Sequence, residues 1–166
     1  MLSIVPALEW IEGLAWTTAI RESAWGYPII EIAHVASIVA FAGLVIMMDL
    51  RLVGLAFTHA PLMQIQRRLF PWQMAALVPA TATGALLFVV DPLRYYGNIF
   101  LGVKLSLVAL AGINALAFHL MTYRTDGQWD EHPQVAVRAW RAGAVSLLLW
   151  SAVIVSGRLI AFSWFV

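Results

Sequence analysis

The chain has 166 residues, of which 62% are hydrophobic and 11% charged; a water-soluble domain carries about 25% charged residues and could not cover its surface with so few. A formal net charge of +1, with no cluster of Lys and Arg, excludes a nucleic-acid-binding face. Cysteine is absent, which excludes disulfides, thiolate nucleophiles and Cys-based zinc or iron–sulfur centres and leaves His, Met, Lys and carboxylates as metal ligands.

Residues 1–20 carry Glu9 and Glu12 but no Lys or Arg, unlike the basic start of a signal peptide, so this segment is expected to be retained. Within it, residues 3–20 set Trp10 and Leu14 among Glu9, Glu12 and Thr17, the pattern of an amphipathic helix lying at a membrane interface. Pro28 then suits the first turn of a long helix. Crossing the hydrocarbon takes about 20 mostly apolar residues, and four stretches qualify: 29–53, 73–90, 99–121 and 142–162. The expected fold is therefore all-α, a four-transmembrane-helix bundle with an N-terminal interfacial helix, in one integral membrane domain over residues 1–166.

Residues 54–72 hold His59, Pro61, Arg67 and Arg68 and read as a loop with a short amphipathic helix. Asp91-Pro92 and Tyr95-Tyr96-Gly97-Asn98 supply a turn and interfacial aromatics. Residues 122–141 form the most polar connection, with Asp126-Gly127, Asp130, Glu131, His132 and Pro133. Trp10, Trp16, Trp25, Trp72, Trp129 and Trp164 read as an interfacial belt. Arg51, Arg67, Arg68, Arg124, Arg138 and Arg141 fall on one side of the spans, against Arg21, Arg94, Lys104 and Arg158 on the other. The more basic side is expected to be cytoplasmic, which places both termini outside.

Ionisable residues within spans are costly and mark the bundle interior. His34 lies roughly 10 Å toward the outer face from the middle of its span, and His119 a similar distance toward the inner face, so the two are roughly 20 Å apart along the normal. They cannot share one metal within a monomer. Glu31, Lys104 and Arg158 are expected near His34. Asp49, Arg51, Arg67 and Arg68, together with His59 or His132, are expected near His119.

A neutral imidazole is an axial ligand for haem iron, and Lys or Arg at the membrane edge can pair with haem propionates. Gly43, Gly84, Ala85 and Gly112 would let a flat macrocycle approach the backbone. Two haems in opposite leaflets would form an electron route across the membrane. Each feature also has a plainer reading: a histidine that bonds one helix to another, cations that snorkel, glycines that pack helices. Met47, Met48, Met63, Met74 and Met121 could bind copper with His59 and His119, although no Met-x-x-x-Met or His-x-His cluster gathers them, and Met is commonly core filler. Asp49 and Arg51 are read as structural, paired with loop arginines. There is no phosphate-binding glycine loop, His-Glu-x-x-His motif or serine elbow, so hydrolase chemistry is not expected.

The run Tyr27-Pro28-Ile29-Ile30-Glu31-Ile32-Ala33-His34-Val35, with Asp49-Leu50-Arg51-Leu52-Val53-Gly54, resembles a bacterial family of four-span inner-membrane proteins with no assigned activity. The likeness continues through Arg67-Arg68-Leu69-Phe70-Pro71-Trp72, Thr83-Gly84, Lys104-Leu105, Asn114-Ala115-Leu116-Ala117-Phe118-His119 and Gly157-Arg158-Leu159-Ile160, over nearly the whole chain. More distantly, the layout is similar to the HemJ-type protoporphyrinogen oxidases, where His34 and Lys104 match a histidine in an opening span and a lysine leading a later one. His119 has no counterpart there. Arg67-Arg68-Leu69, Thr83-Gly84 and Tyr96-Gly97 before Lys104 resemble the CopD-type copper-resistance membrane proteins.

The reading is of a haem b protein that transfers electrons, with His34 and His119 as axial ligands. Lys104 and His59, or a residue of a partner chain, are the candidate second ligands, and Lys104, Arg158, Arg67 and Arg68 the propionate partners. The implied location is the bacterial inner membrane, the implied partners the lipid bilayer, a redox protein or quinone, and a second copy or a larger oxidoreductase. The alternatives are copper handling and a cofactor-free accessory subunit.

Overall fold

The computed structural model describes residues 4–123 and 133–162. Trp129, Trp164, Arg124, His132 and the acids at 126, 130 and 131 lie outside the described residues. The described chain is all helical: α1 Val5–Glu12, α2 Ala15–Glu22, α3 Gly26–Leu52, α4 Leu62–Val90, α5 Pro92–Tyr96, α6 Ile99–Tyr123 and α7 Pro133–Ala161. Four of these, Gly26–Leu52, Leu62–Val90, Ile99–Leu120 and Ala136–Ala161, are long and apolar enough to cross a membrane. Their outward side chains include Val35, Val39, Val78, Leu105, Ile113 and Leu148, all exposed, the arrangement that lipid rather than water requires. The chain is a multi-pass membrane protein.

Contacts divide it into two compact units, Met1–Phe41 with Met74–Ile99, and Ala42–Gln73 with Phe100–Val166. In the first, the N-terminal segment is two short helices where one was expected, because the chain turns extended at Leu14 (φ −65°, ψ 141°) after Gly13. The hydroxyl of Thr17, fully buried, lies 2.7 Å from Leu14 O, 2.9 Å from Ile11 O and 3.0 Å from Glu12 O. It thus adds a side-chain donor among the carbonyls of the α1–α2 turn. Arg21 bridges Glu12 Oε1 at 3.2 Å and donates to Val90 O at 3.2 Å, tying α2 to the end of α4, while α1 packs on α5. Thr17→Val keeps the shape but removes a buried hydroxyl donor from this turn, a loss of about 0.5–1.5 kcal/mol. Hydrogen exchange should quicken over residues 5–22 and stay unchanged in the long helices.

In the second unit, α3 ends in a Schellman turn: Gly54, at φ +79°, donates to Arg51 O, and Leu55 donates to Leu50 O. α4 starts eleven residues earlier than hydropathy suggested, at Leu62 rather than 73, so Arg67 and Arg68 ride on its first turns. Pro71 does not end it, since away from water the helix remains the one way to satisfy the neighbouring backbone groups. α7 likewise reaches back beyond the apolar stretch to Pro133, which suits a first helical turn.

Within this unit each helix is bonded to the next. Gln73 Nε2 donates to Leu44 O (3.2 Å, α4 to α3), Gln66 Nε2 meets His119 Nδ1 (3.3 Å, α4 to α6), and Asn114 Nδ2 donates to Ala142 O (3.0 Å, α6 to α7). Gly143 closes the ring by lying against Asp49 O and Leu52 Cβ of α3. Met48 and Leu62 fill one end of this four-helix ring, with Leu52, Ile65, Leu69 and Phe118 packed around them.

Candidate functional site

Tyr27, Glu31 and His34 recur on one face of α3 at i, i+4 and i+7. At the top of this stripe the hydroxyls of Tyr27 and Tyr95 are 2.6 Å apart. Burial pushes the Tyr95 phenol up from its ordinary pKa, and its hydrogen bond with Tyr27 pushes the same way, so it keeps its proton. Glu31 is exposed one helical turn before His34.

The half-buried His34 imidazole is seated on α4. Its Nδ1 lies 3.0 Å from Ala80 O and 3.2 Å from Thr83 Oγ1, whose own proton goes to Pro79 O at 2.6 Å. A carbonyl oxygen can only accept, so Nδ1 carries the hydrogen and the lone pair of the neutral ring is on Nε2. The ring sits directly on Gly84: a Cβ there would come within 2.8 Å of His34 Cε1 and 3.3 Å of Nδ1. Gly84, expected to give a macrocycle room against the backbone, gives that room to the imidazole. Gly43 and Gly112 each have nothing within 4 Å of an added Cβ.

The second unit holds the other candidate residues. Gln66, which no sequence motif marked, meets His119 Nδ1. As an amide N–H donor it places the lone pair of His119 on Nδ1, the reverse of His34; a half-turn of the amide would accept an Nδ1–H and leave the lone pair on Nε2. The Lys104 stem lies along Gly157 of α7, with Cε and Nζ 3.7 Å from where a Cβ would stand. The exposed Arg158 stacks on Phe162, 4.7 Å from the ring centroid. Arg67 and Arg68 are exposed on α4, and His59 is exposed in the α3–α4 connection.

Asp49 departs from its expected pairing with arginine. It is buried, at 4% exposure, and hydrogen-bonded to the equally buried Ser146 of α7. Arg51 gives its Nε to Ala60 O at 3.1 Å. Among the described residues no three His, Cys, Asp or Glu side chains gather as a metal site.

No family model, no curated protein and no solved structure matches the chain.

Proposed function

We propose that this membrane protein binds haem b and passes electrons, with His34 as an axial ligand through Nε2. The observation that supports this most is the seating of that ring: an Nδ1–H donated to the Ala80 carbonyl is the outer-shell bond that orients a metal-ligating imidazole and raises its basicity. Haem, when bound, supplies one-electron chemistry. The chain's own part is to hold the imidazole neutral, fix its plane between Gly84 and Thr83, and keep its Nδ1 edge away from water.

His119 is proposed for a second haem in the opposite leaflet, after the Gln66 amide turns to accept Nδ1–H. Lys104 and His59 are the proposed second ligands, and Lys104, Arg158, Arg67 and Arg68 the proposed propionate partners. The arginine bias supports placing both termini outside, and the bacterial inner membrane is proposed on the family resemblance. A quinone or redox protein is the proposed electron partner, within a homo-oligomer or a larger oxidoreductase.

Reduced-minus-oxidised spectra of the purified protein, with metal analysis, test the reading. A Soret band with stoichiometric iron is expected. Stoichiometric copper without a Soret band would replace it with copper handling, and neither metal would leave an accessory subunit. Gly84→Ala should lower haem occupancy several-fold while sparing the fold, because a methyl 2.8 Å from Cε1 must push the ring off its seat. Full occupancy in that variant would mean the seat does not position the ligand.

A further inference from the structure

The second unit contains a buried carboxyl that the haem reading does not use. Asp49 is 4% exposed and Ser146 is 8% exposed, so both lie inside the helix ring. The Ser146 hydroxyl serves the carboxyl, yet Oδ2 is buried with no hydrogen-bond partner among the described residues. Nearby polar groups of the ring have partners of their own: Arg51 Nε on Ala60 O, Gln66 on His119, Asn114 on the Ala142 carbonyl and Gln73 on the Leu44 carbonyl. Gly143, one turn before Ser146, brings the α7 backbone against the Asp49 carbonyl.

A carboxylate oxygen in such surroundings costs several kcal/mol or more unless positive charge meets it. Ionisable groups kept inside membrane helices despite this cost mark ion and proton sites. Lengthening the side chain to reach solvent is not open to Asp, whose carboxyl is one methylene from the backbone.

We propose that Asp49 and Ser146 form a small-cation site inside the ring, in which Asp49 Oδ2 takes up a proton or a sodium ion from the aqueous phase and Ser146 holds the other carboxyl oxygen in place. The two occupants share one chemistry, a compact positive charge on an oxygen lone pair. Neither requires haem, so the site stands or falls independently of the redox reading.

The test uses the full chain in detergent, treated with dicyclohexylcarbodiimide, an apolar reagent that modifies carboxyl groups bearing a proton, followed by peptide mass spectrometry. Asp49 should be modified in preference to Glu9 and Glu22, faster at lower pH, and the label should vanish in Asp49→Asn. Slowing by sodium chloride but not by choline chloride assigns sodium as a competing occupant; equal rates in the two salts assign the proton alone. A thermal melt gives an independent reading. The melting temperature of the wild type should vary with pH or sodium, and the Asp49→Asn protein should lose that dependence. If Asp49 labels no more than Glu9 and Glu22, and the two proteins melt with the same dependence on pH and sodium, the site does not exist.

Discussion

Replacing His34 with leucine should abolish the Soret absorbance contributed by its site while leaving the protein folded in the membrane. Leucine fills a similar volume and suits a helix, and the Nδ1–H bond to Ala80 O at 3.0 Å that it deletes is worth only about 0.5–1.5 kcal/mol. The effect on pigment is large because the same face of α3 offers no substitute ligand. On the same face of α3, Tyr27 is engaged with Tyr95, and Glu31 lies one turn away and exposed. A second variant separates ligation from folding: His34→Gly leaves a cavity on the Gly84 seat, and added imidazole should restore the band in that protein and not in His34→Leu. Any absorbance remaining in His34→Leu reports the His119 site, and His119→Leu should remove it.

The largest structural effect is expected at Gly143. A Cβ there would stand 2.8 Å from Leu52 Cβ, 3.1 Å from Asp49 O and 3.3 Å from Val53 Cγ1. Two of these are a backbone oxygen and a Cβ, which cannot swing aside. Gly143→Val must therefore force α7 away from α3 in the second unit, at a cost of about 1–3 kcal/mol or more for overpacking, equivalent to a fall in melting temperature on the order of 5 °C. Gly112→Val is the matched control, since nothing lies within 4 Å of its added Cβ, and it should melt like the wild type. Equal melting of the two variants would contradict the close approach of α7 to α3.

The class of the fold was legible because lipid demands long uncharged stretches, and the four stretches between residues 29 and 162 have no soluble explanation. The ends of the helices were not, for a physical reason. In a membrane protein the hydrophobic window reports where lipid begins, whereas the helix continues past it into residues such as Arg67, Arg68, Arg138 and Arg141. The pairing of α1 and α2 was hidden as well, since amphipathic spacing persists across the turn at Leu14.

At the site, His34 was visible as an ionisable residue inside an apolar run. Its seat was only half visible. Thr83-Gly84 could be seen as a motif, but not that Gly84 is small for the sake of a ring on another helix, forty-nine residues before Thr83 in the chain. Gln66 and Ser146 were missed because an amide or a hydroxyl carries no signal until another helix brings it a partner. A periodicity count along α4 or α7 beside the spans' ionisable residues could have marked both as inward-facing polar positions. Asp49 was expected to pair with loop arginines, because chain position alone shows the basic loops beside it and not Ser146, which arrives from α7.

Coordination by His34 can be observed directly. In the oxidised His119→Leu protein carrying nitrogen-15 histidine, electron–nuclear double resonance should show a strong imidazole nitrogen coupling to the iron that is absent once His34→Leu is added. A coupling unchanged by that substitution, or no histidine coupling at all, would contradict the assignment of His34 Nε2 as the ligand.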